Sequence, residues 1–174
     1  MARPFAWTDF EIQDCVGVGH SGAVYRARLK QATQGLPEDA VVAIKRYKAW
    51  LLDEPGFIER LFREVDTGRA IVHPNVLRVF GAVMDSDARP ALVMQFHEGL
   101  TLVEDLKLRL SSNTPYPFEE AIATLRSIAA GLVALHERGI IHRDVKPANV
   151  LVGNHDAIIA ALVSLEVLRF RNRQ

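Results

Sequence analysis

Alternation of apolar and polar residues marks the first hundred positions. Glu11 to Val18, Ala23 to Leu29 and Val41 to Tyr47 are rich in β-branched and aromatic residues, and glycine-containing or polar turns separate them. That is the pattern of an antiparallel meander. From Gly56 to about Val72 the period lengthens: Phe57, Leu61, Val65 and Ile71 recur at roughly helical spacing, with Glu59, Arg60, Arg63 and Glu64 between them. His73-Pro74-Asn75 ends this helix, because proline disfavours helical backbone at the residue before it. Val76 to Val83 and Ala91 to Phe96 then return to strand character.

After Gly99 the pattern turns helical. Leu102 to Leu110 predicts one helix, and Phe118 to Arg138 predicts a longer one. Its stripe of Ile122, Leu125, Ile128, Ala129, Leu132 and Leu135 has the 3.6-residue period, and Gly139 follows as its cap. Ile140 to Asn149 is polar and turn-like, Val150 to Val152 is a short strand, and Ala157 to Val163 is another. The chain therefore reads as an α+β protein, β-rich before Gln95 to Gly99 and α-rich after it.

Composition narrows the partners. Lys plus Arg number 21 and Asp plus Glu number 21, so the balance excludes a broad nucleic-acid-binding surface as the default. With 49% hydrophobic and 24% charged residues over 174 positions, there is apolar mass for a core, unlike a disordered chain. Cys15 is the single cysteine, and neither it nor the six histidines show zinc-ligand spacing, which favours a reducing, cytoplasmic compartment. The apolar run Ala157 to Val163 is too short to span a bilayer and the start lacks a signal core, so a soluble intracellular protein without a membrane segment is expected.

Three segments carry chemistry. Gly17-Val18-Gly19-His20-Ser21-Gly22-Ala23-Val24 fits G-x-G-x-x-G-x-V, in which backbone amides approach phosphate oxygens with no Cβ in the way. A dinucleotide fingerprint would open a helix after the third glycine, whereas Ala23 to Ala27 reads as a strand, so these glycines sit in a hairpin. On its own such a match is most simply an ordinary glycine turn. Val42-Ala43-Ile44-Lys45 then puts a lysine inside an apolar strand, where a cation is costly unless an anion meets it or its stem snorkels out. Glu64 on the helix that follows is a candidate partner, and otherwise a solvated helix charge. Finally His142-Arg143-Asp144-Val145-Lys146-Pro147-Ala148-Asn149 gathers a carboxylate, an amine and an amide into one loop between helix and strand.

In this order and near this spacing, the glycine-rich loop, VAIK lysine, helix glutamate and HRD-x-K-x-x-N loop resemble a eukaryotic-type protein kinase domain of the serine/threonine type. The resemblance covers the N-terminal two thirds of such a domain. It implies a bilobal fold: an N-lobe over residues 1–94 with a five-stranded sheet and helix C, a hinge at 95–99, and a partial helical C-lobe over 100–161 ending soon after the catalytic loop. It further implies that Gly17, Val18, Gly19 and Gly22 would cover the ATP phosphates, that Lys45, paired with Glu64, would hold two of them, and that Val24 and Ala43 would sandwich the adenine. Met94 falls at the gatekeeper position and Gln95 to His97 at the hinge. Asp144 matches the base for the substrate hydroxyl, Lys146 the lysine that steadies the transferred phosphate, and Asn149 a magnesium ligand. The implied cofactors are ATP and Mg2+, and the implied partner a protein substrate in signal transduction. The phrases His73-Pro74-Asn75-Val76-Leu77 and Gly131-Leu132-Val133-Ala134-Leu135-His136 are most similar to the tyrosine-kinase-like group of serine/threonine kinases.

Two departures stand out. The family's Asp-Phe-Gly triplet, whose Asp holds magnesium, is replaced in register by Ala161-Leu162-Val163-Ser164, and the nearest acid, Asp156, lies in the preceding turn. Magnesium binding is therefore expected to be weakened. Ala160 to Val167 can be written GCN GCT TTG GTC TCG CTC GAG GTC; one A after the first base of the second codon turns it into Ala-Asp-Phe-Gly-Leu-Ala-Arg-Gly. That makes a single-nucleotide deletion, with 162–174 read out of frame, the leading explanation; a pseudokinase, a spliced isoform or a non-functional fragment is the alternative. The other departure is Gly68, one turn after Glu64, which costs about 1 kcal/mol relative to Ala and predicts a loosely held helix.

Overall fold

The computed structural model describes residues 3–153, 157–160 and 166–167. The chain divides into two compact units, Met1–Ala70 with Arg78–Phe96, and Ile71–Leu77 with His97–Gln174.

In the first unit, β1 (Phe10–Val18), β2 (Gly22–Leu29), β3 (Val41–Tyr47), β4 (Val79–Met84) and β5 (Pro90–Gln95) form an antiparallel sheet in the order β1-β2-β3-β5-β4. The period of two sorts its side chains onto two faces. One face packs Ala27, Leu29, Val42, Ile44, Ala91 and Val93 with Phe5 and Phe10 into an apolar core. The other receives Val24, Ala43, Lys45, Tyr47, Leu92 and Met94, because Val24 pairs with Lys45, Lys45 with Leu92 and Ala43 with Met94.

The N-terminal segment contributes to the first core through a device the period does not signal. A 3-10 turn at Trp7–Asp9 is secured by the Asp9 carboxylate, which is 3% exposed. It accepts two hydrogen bonds from Arg3 at 2.7 and 2.9 Å, one from the Ala6 N–H at 2.8 Å and one from Gln31 at 3.0 Å. The Arg3 guanidinium, with the Ala6 and Gln31 donors, holds the carboxyl down at about 2.

After β3 come the single turn α1 (Ala49–Leu52) and the helix α2 (Phe57–Arg69), which lies against β4. Gly56 opens α2 with a left-handed φ of 75°, a conformation that costs glycine nothing. Leu61, Val65 and Gly68 are the buried positions of α2. Sequence periodicity extends this helix to Val72, three residues beyond its observed end at Arg69.

The second unit holds β6 (Leu100–Thr101), α3 (Leu102–Ser111), α4 (Phe118–His136), β7 (Ile140–Ile141), β8 (Val150–Val152), β9 (Ala157–Ile159) and β10 (Glu166–Val167). Strands β6, β8 and β9 form one small sheet and β7 pairs with β10. Thr101 caps α3 reciprocally: Glu104 N–H donates to its Oγ1 at 3.3 Å and its own N–H donates to Glu104 at 2.8 Å. Gly139, with φ of 71°, ends α4 in the left-handed conformation expected of a glycine cap. The buried positions of α4 are Gly131, Ala134 and Leu135, in its last two turns, where it packs on β7 and β9. Leu125, placed by its period on the apolar stripe, is 60% exposed.

The segment Ile71–Leu77 belongs to this unit because its hydrogen bonds do. Ile159 N–H donates to the Asn75 carbonyl and Leu77 N–H to the Ile159 carbonyl, both at 2.9 Å, while Asn75 Nδ2 donates to Ala157 at 2.9 Å. The backbone that alternation assigns to one strand from Val76 is thus committed to β9 first, and β4 begins at Val79. The last strand read from the sequence, to Val163, is observed over Ala157–Ile159; residues 161–163 lie outside the described residues.

A Cβ at Gly131 would lie 2.5 Å from the Asn75 carbonyl oxygen. That oxygen is fixed by the Ile159 N–H, so the backbone must shift to accept a side chain. Gly131→Ala should therefore destabilise the chain by roughly 1–3 kcal/mol, read from the urea midpoint at unchanged slope; a wild-type midpoint would refute the packing account.

Candidate functional site

The glycine hairpin joins β1 to β2. Gly19 N–H donates to the Gly22 carbonyl at 2.8 Å, and the strand resumes at Gly22. No helix follows the third glycine, so the dinucleotide reading stays excluded. The three glycines differ in kind. A Cβ on Gly22 would collide with the backbone carbonyl of Arg46, so the fold itself demands glycine there. At Gly17 a Cβ would meet nothing within 4 Å, at Gly19 only the Gly22 oxygen at 4.0 Å, and neither has a left-handed φ. Neither packing nor backbone conformation requires glycine at these two positions, whereas a ligand approaching the backbone amides would. Val18 between them is 79% exposed. At the tip, the His20 ring lies edge-on to Trp50, 5.2 Å between centroids.

Lys45 lies in the middle of β3, between Val24 of β2 and Leu92 of β5, and is 9% exposed. Burial pushes its ammonium down to about 8 from the usual 10.5, and the charge of Glu64 on α2 acts in the opposite direction. The pairing expected from sequence is thus felt electrostatically, in the space between sheet and helix. The Lys45 Nζ also lies 5.2 Å from the centroid of the Tyr47 ring. Tyr47 was not singled out by motif, although its place two residues beyond Lys45 on the strand puts both on one face.

Met94, buried, sits between Ala43 and Val79 in the register. Gln95 is tied to Arg78 twice: its N–H donates to the Arg78 carbonyl at 2.8 Å and its Oε1 accepts the Arg78 N–H at 3.4 Å. His97 belongs to the second unit, where its ring packs so closely on Gly99 and Gly153 that a Cβ on either would lie 2.7 or 3.1 Å from it.

The polar loop after β7 forms a closed network in the second unit. Asp144 Oδ2 accepts the Lys146 ammonium at 2.7 Å and Asn149 Nδ2 at 2.9 Å, while Asn149 Nδ2 also donates to the Asp144 carbonyl at 2.8 Å. The Lys146 hydrogen bond is the main reason the Asp144 carboxyl lies below its usual range. Beneath it His142 is 2% exposed; its Nδ1 accepts the Asp144 N–H at 3.3 Å and burial lowers its basicity. A 3-10 turn at Pro147–Asn149 presents Asn149, and Ala160 N–H fixes the Asn149 carbonyl at 2.8 Å. Asp144 is therefore ionised at neutral pH, aimed by two donors, and suited to orient a hydroxyl and take its proton.

Among the described residues Asn149 offers one donor for a metal. Both hydrogen bonds of the Asn149 amide use its nitrogen, which leaves its oxygen for a cation, as the resemblance implies. Among the described residues no cluster of three or more His, Cys, Asp or Glu could hold a metal ion. Asp156 and Ala161 to Ser164, where the carboxylate ligand would be sought, lie outside the described residues. The described residues by themselves do not make a full magnesium site.

A family model for the protein kinase domain matches residues 10–162. The chain belongs to the protein kinase domain family. It is 35% identical over 147 residues to the serine/threonine-protein kinase PkaA of Streptomyces coelicolor, covering 81% of this chain and 26% of that one. Against the serine/threonine-protein kinase PknB of Mycobacterium leprae it is 32% identical over 152 residues, 86% of this chain and 23% of the other. Against the serine/threonine-protein kinase Aurora-1 of Arabidopsis thaliana it is 32% identical over 171 residues, 97% and 54%. The chain spans between about a quarter and a half of the length of these curated relatives. The kinase domain is of serine/threonine-kinase similarity, α+β, with the five-stranded sheet and helix the family resemblance implies. Among the described residues no helix is long and apolar enough to cross a membrane.

The Lys45 shift fixes the sign of a stability effect. Between pH about 8 and 10.5 the unfolded chain carries a proton on this lysine that the native chain has lost, so stability rises with pH across that window. The rise ends near pH 10, where Tyr47, whose phenol burial raises, ionises first in the unfolded chain and pulls the other way. Lys45→Met should remove the rise, measured by urea unfolding from pH 7 to 10. Equal slopes in the two proteins would contradict the buried-cation account.

Proposed function

We propose that the chain carries protein serine/threonine kinase chemistry: it binds ATP and directs the γ-phosphoryl to a protein hydroxyl. The Asp144–Lys146–Asn149 network is the observation that carries this reading, because it aims an ionised carboxylate and a cation from one short loop. In the first unit, the amides around Gly17, Val18, Gly19 and Gly22 and the Lys45 ammonium bind phosphate oxygens, while Val24, Ala43, Met94 and Gln95 take the adenine. In the second, Asp144 accepts the hydroxyl proton as the oxygen–phosphorus bond forms and the bond to the departing ADP breaks, and Lys146 balances charge on the phosphoryl group. ATP supplies the phosphoryl group; a protein with an accessible serine or threonine accepts it. Membership of the tyrosine-kinase-like group rests on the two phrases around Asn75 and Gly131, which pack against one another.

We further propose that the reading frame shifts by one nucleotide at Ala161. The reconstruction of Ala-Asp-Phe-Gly-Leu-Ala-Arg-Gly supports this, as does the family-model match, which stops at residue 162. On this reading 162–174 are out of frame, magnesium binding is weakened, and the chain as it stands binds nucleotide while transferring phosphate poorly. The alternative, an in-frame pseudokinase or scaffold, is favoured by the Aurora-1 alignment, which takes in 97% of the chain. Independent genomic and transcript reads across codons 160–167 decide between them: an A after the first base of codon 161 establishes the frameshift, and uniform agreement with the present frame removes it.

For the chemistry, 1 mM ATP with magnesium should raise the melting temperature by about 3–5 °C. Lys45→Met should abolish that rise and Asp144→Asn should keep it. The frame-restored chain should transfer phosphate at least roughly a hundredfold faster than the present one, and Asp144→Asn should remove that activity. Absence of any ATP-dependent shift in both chains would overturn the proposal.

A further inference from the structure

Tyr47 occupies the same face of β3 as Lys45, two residues on, and is buried between the sheet and α2. Three contacts define its place. The Lys45 Nζ lies 5.2 Å from its ring centroid; the Phe57 ring at the start of α2 meets it edge-on at 5.3 Å; and the Glu64 charge acts on its phenol. Its hydroxyl makes no hydrogen bond to the described residues, although it is buried. A phenol kept in such a place without a partner for its oxygen is there for its ring. An aromatic face attracts a cation most strongly where water is excluded, which is the condition of Lys45.

We propose that Tyr47 is a positioning residue for Lys45: its ring is the seat on which the lysine ammonium rests between β3 and α2, next to Glu64, ready for phosphate. This rests on the assignment of Lys45 as the phosphate-binding cation. The seat solves a problem particular to this strand. Val24 and Leu92, which flank Lys45 in the register, are apolar, so the sheet itself offers the ammonium nothing. Among the described residues, Glu64 from α2 and the Tyr47 ring from its own strand act on it. Because the same ring touches Phe57, the position of α2 and the position of the lysine are set by one side chain.

The experiment labels the nucleotide-free chain with trace acetic anhydride and follows Lys45 acetylation against pH by peptide mass spectrometry. Four proteins are compared: wild type, Tyr47→Phe, Tyr47→Leu, and a chain with pentafluorophenylalanine at position 47. The last keeps the ring's shape and reverses its charge distribution, so a merely structural role does not move it. Losing the aromatic face disfavours the ammonium, so Tyr47→Leu and the fluorinated ring should lower the Lys45 midpoint by about half a pH unit and speed acetylation at pH 7 about two- to threefold. Tyr47→Phe should match wild type. Dissociation constants for MgATP should rise severalfold in the same two variants and stay unchanged in Tyr47→Phe. A wild-type profile for the fluorinated ring overturns the proposal, as does a shift in Tyr47→Phe as large as in Tyr47→Leu, which would assign the effect to the hydroxyl. Labelling needs no nucleotide, so a chain that shows the expected profiles and binds no ATP refutes the kinase reading and leaves the seat in place.

Discussion

A lysine ammonium held inside a β-sheet sets the terms for the first unit. Taking a cation out of water is expensive, and removing one partner of a buried pair leaves the other uncompensated. Lys45 bears that cost, visible in the fall of its ammonium to about 8, and the surroundings offset part of it with Glu64 and the Tyr47 ring. Helix α2 supplies the carboxylate and β3 the ring, so the elements that stabilise the charge also fix where it sits. An exposed lysine would be cheaper to hold, but its ammonium would be hydrated and free to rotate.

The polar loop of the second unit follows the opposite logic. Asp144 and Lys146 lie half-buried or exposed and meet each other at 2.7 Å, so little desolvation is incurred and orientation comes from geometry. His142 supports the loop from below as a buried, neutral ring that accepts the Asp144 N–H. The two units thus hold charge in different ways: a buried ammonium in one, a paired carboxylate and ammonium near the surface in the other.

The glycines differ in what surrounds them. Gly22 and Gly131 face carbonyls of their own fold, and a side chain at either position meets backbone. Gly17 and Gly19 face open space and have ordinary backbone angles. In the sequence these are all simply glycine. Only the surroundings separate the two that the fold requires from the two that it does not.

The sequence alone determined the strands of the five-stranded sheet to within a few residues, the two long helices and the motifs on which the family resemblance rests. Each depends on local information: a period of two or 3.6, a turn residue, a motif of fixed spacing. It could not show that Ile71–Leu77 joins the second unit, because the hydrogen bonds that decide this reach Ala157 and Ile159, far along the chain. Nor could it show the Asp9 anchor, whose partners Arg3, Ala6 and Gln31 form no periodic pattern, or the burial of Tyr47 against Lys45 and Phe57. Period two places Lys45 and Tyr47 on one face of a strand. Whether that face is wet or dry, and so whether the ring matters to the cation, depends on α2 packing beside it, and that is a property of tertiary structure.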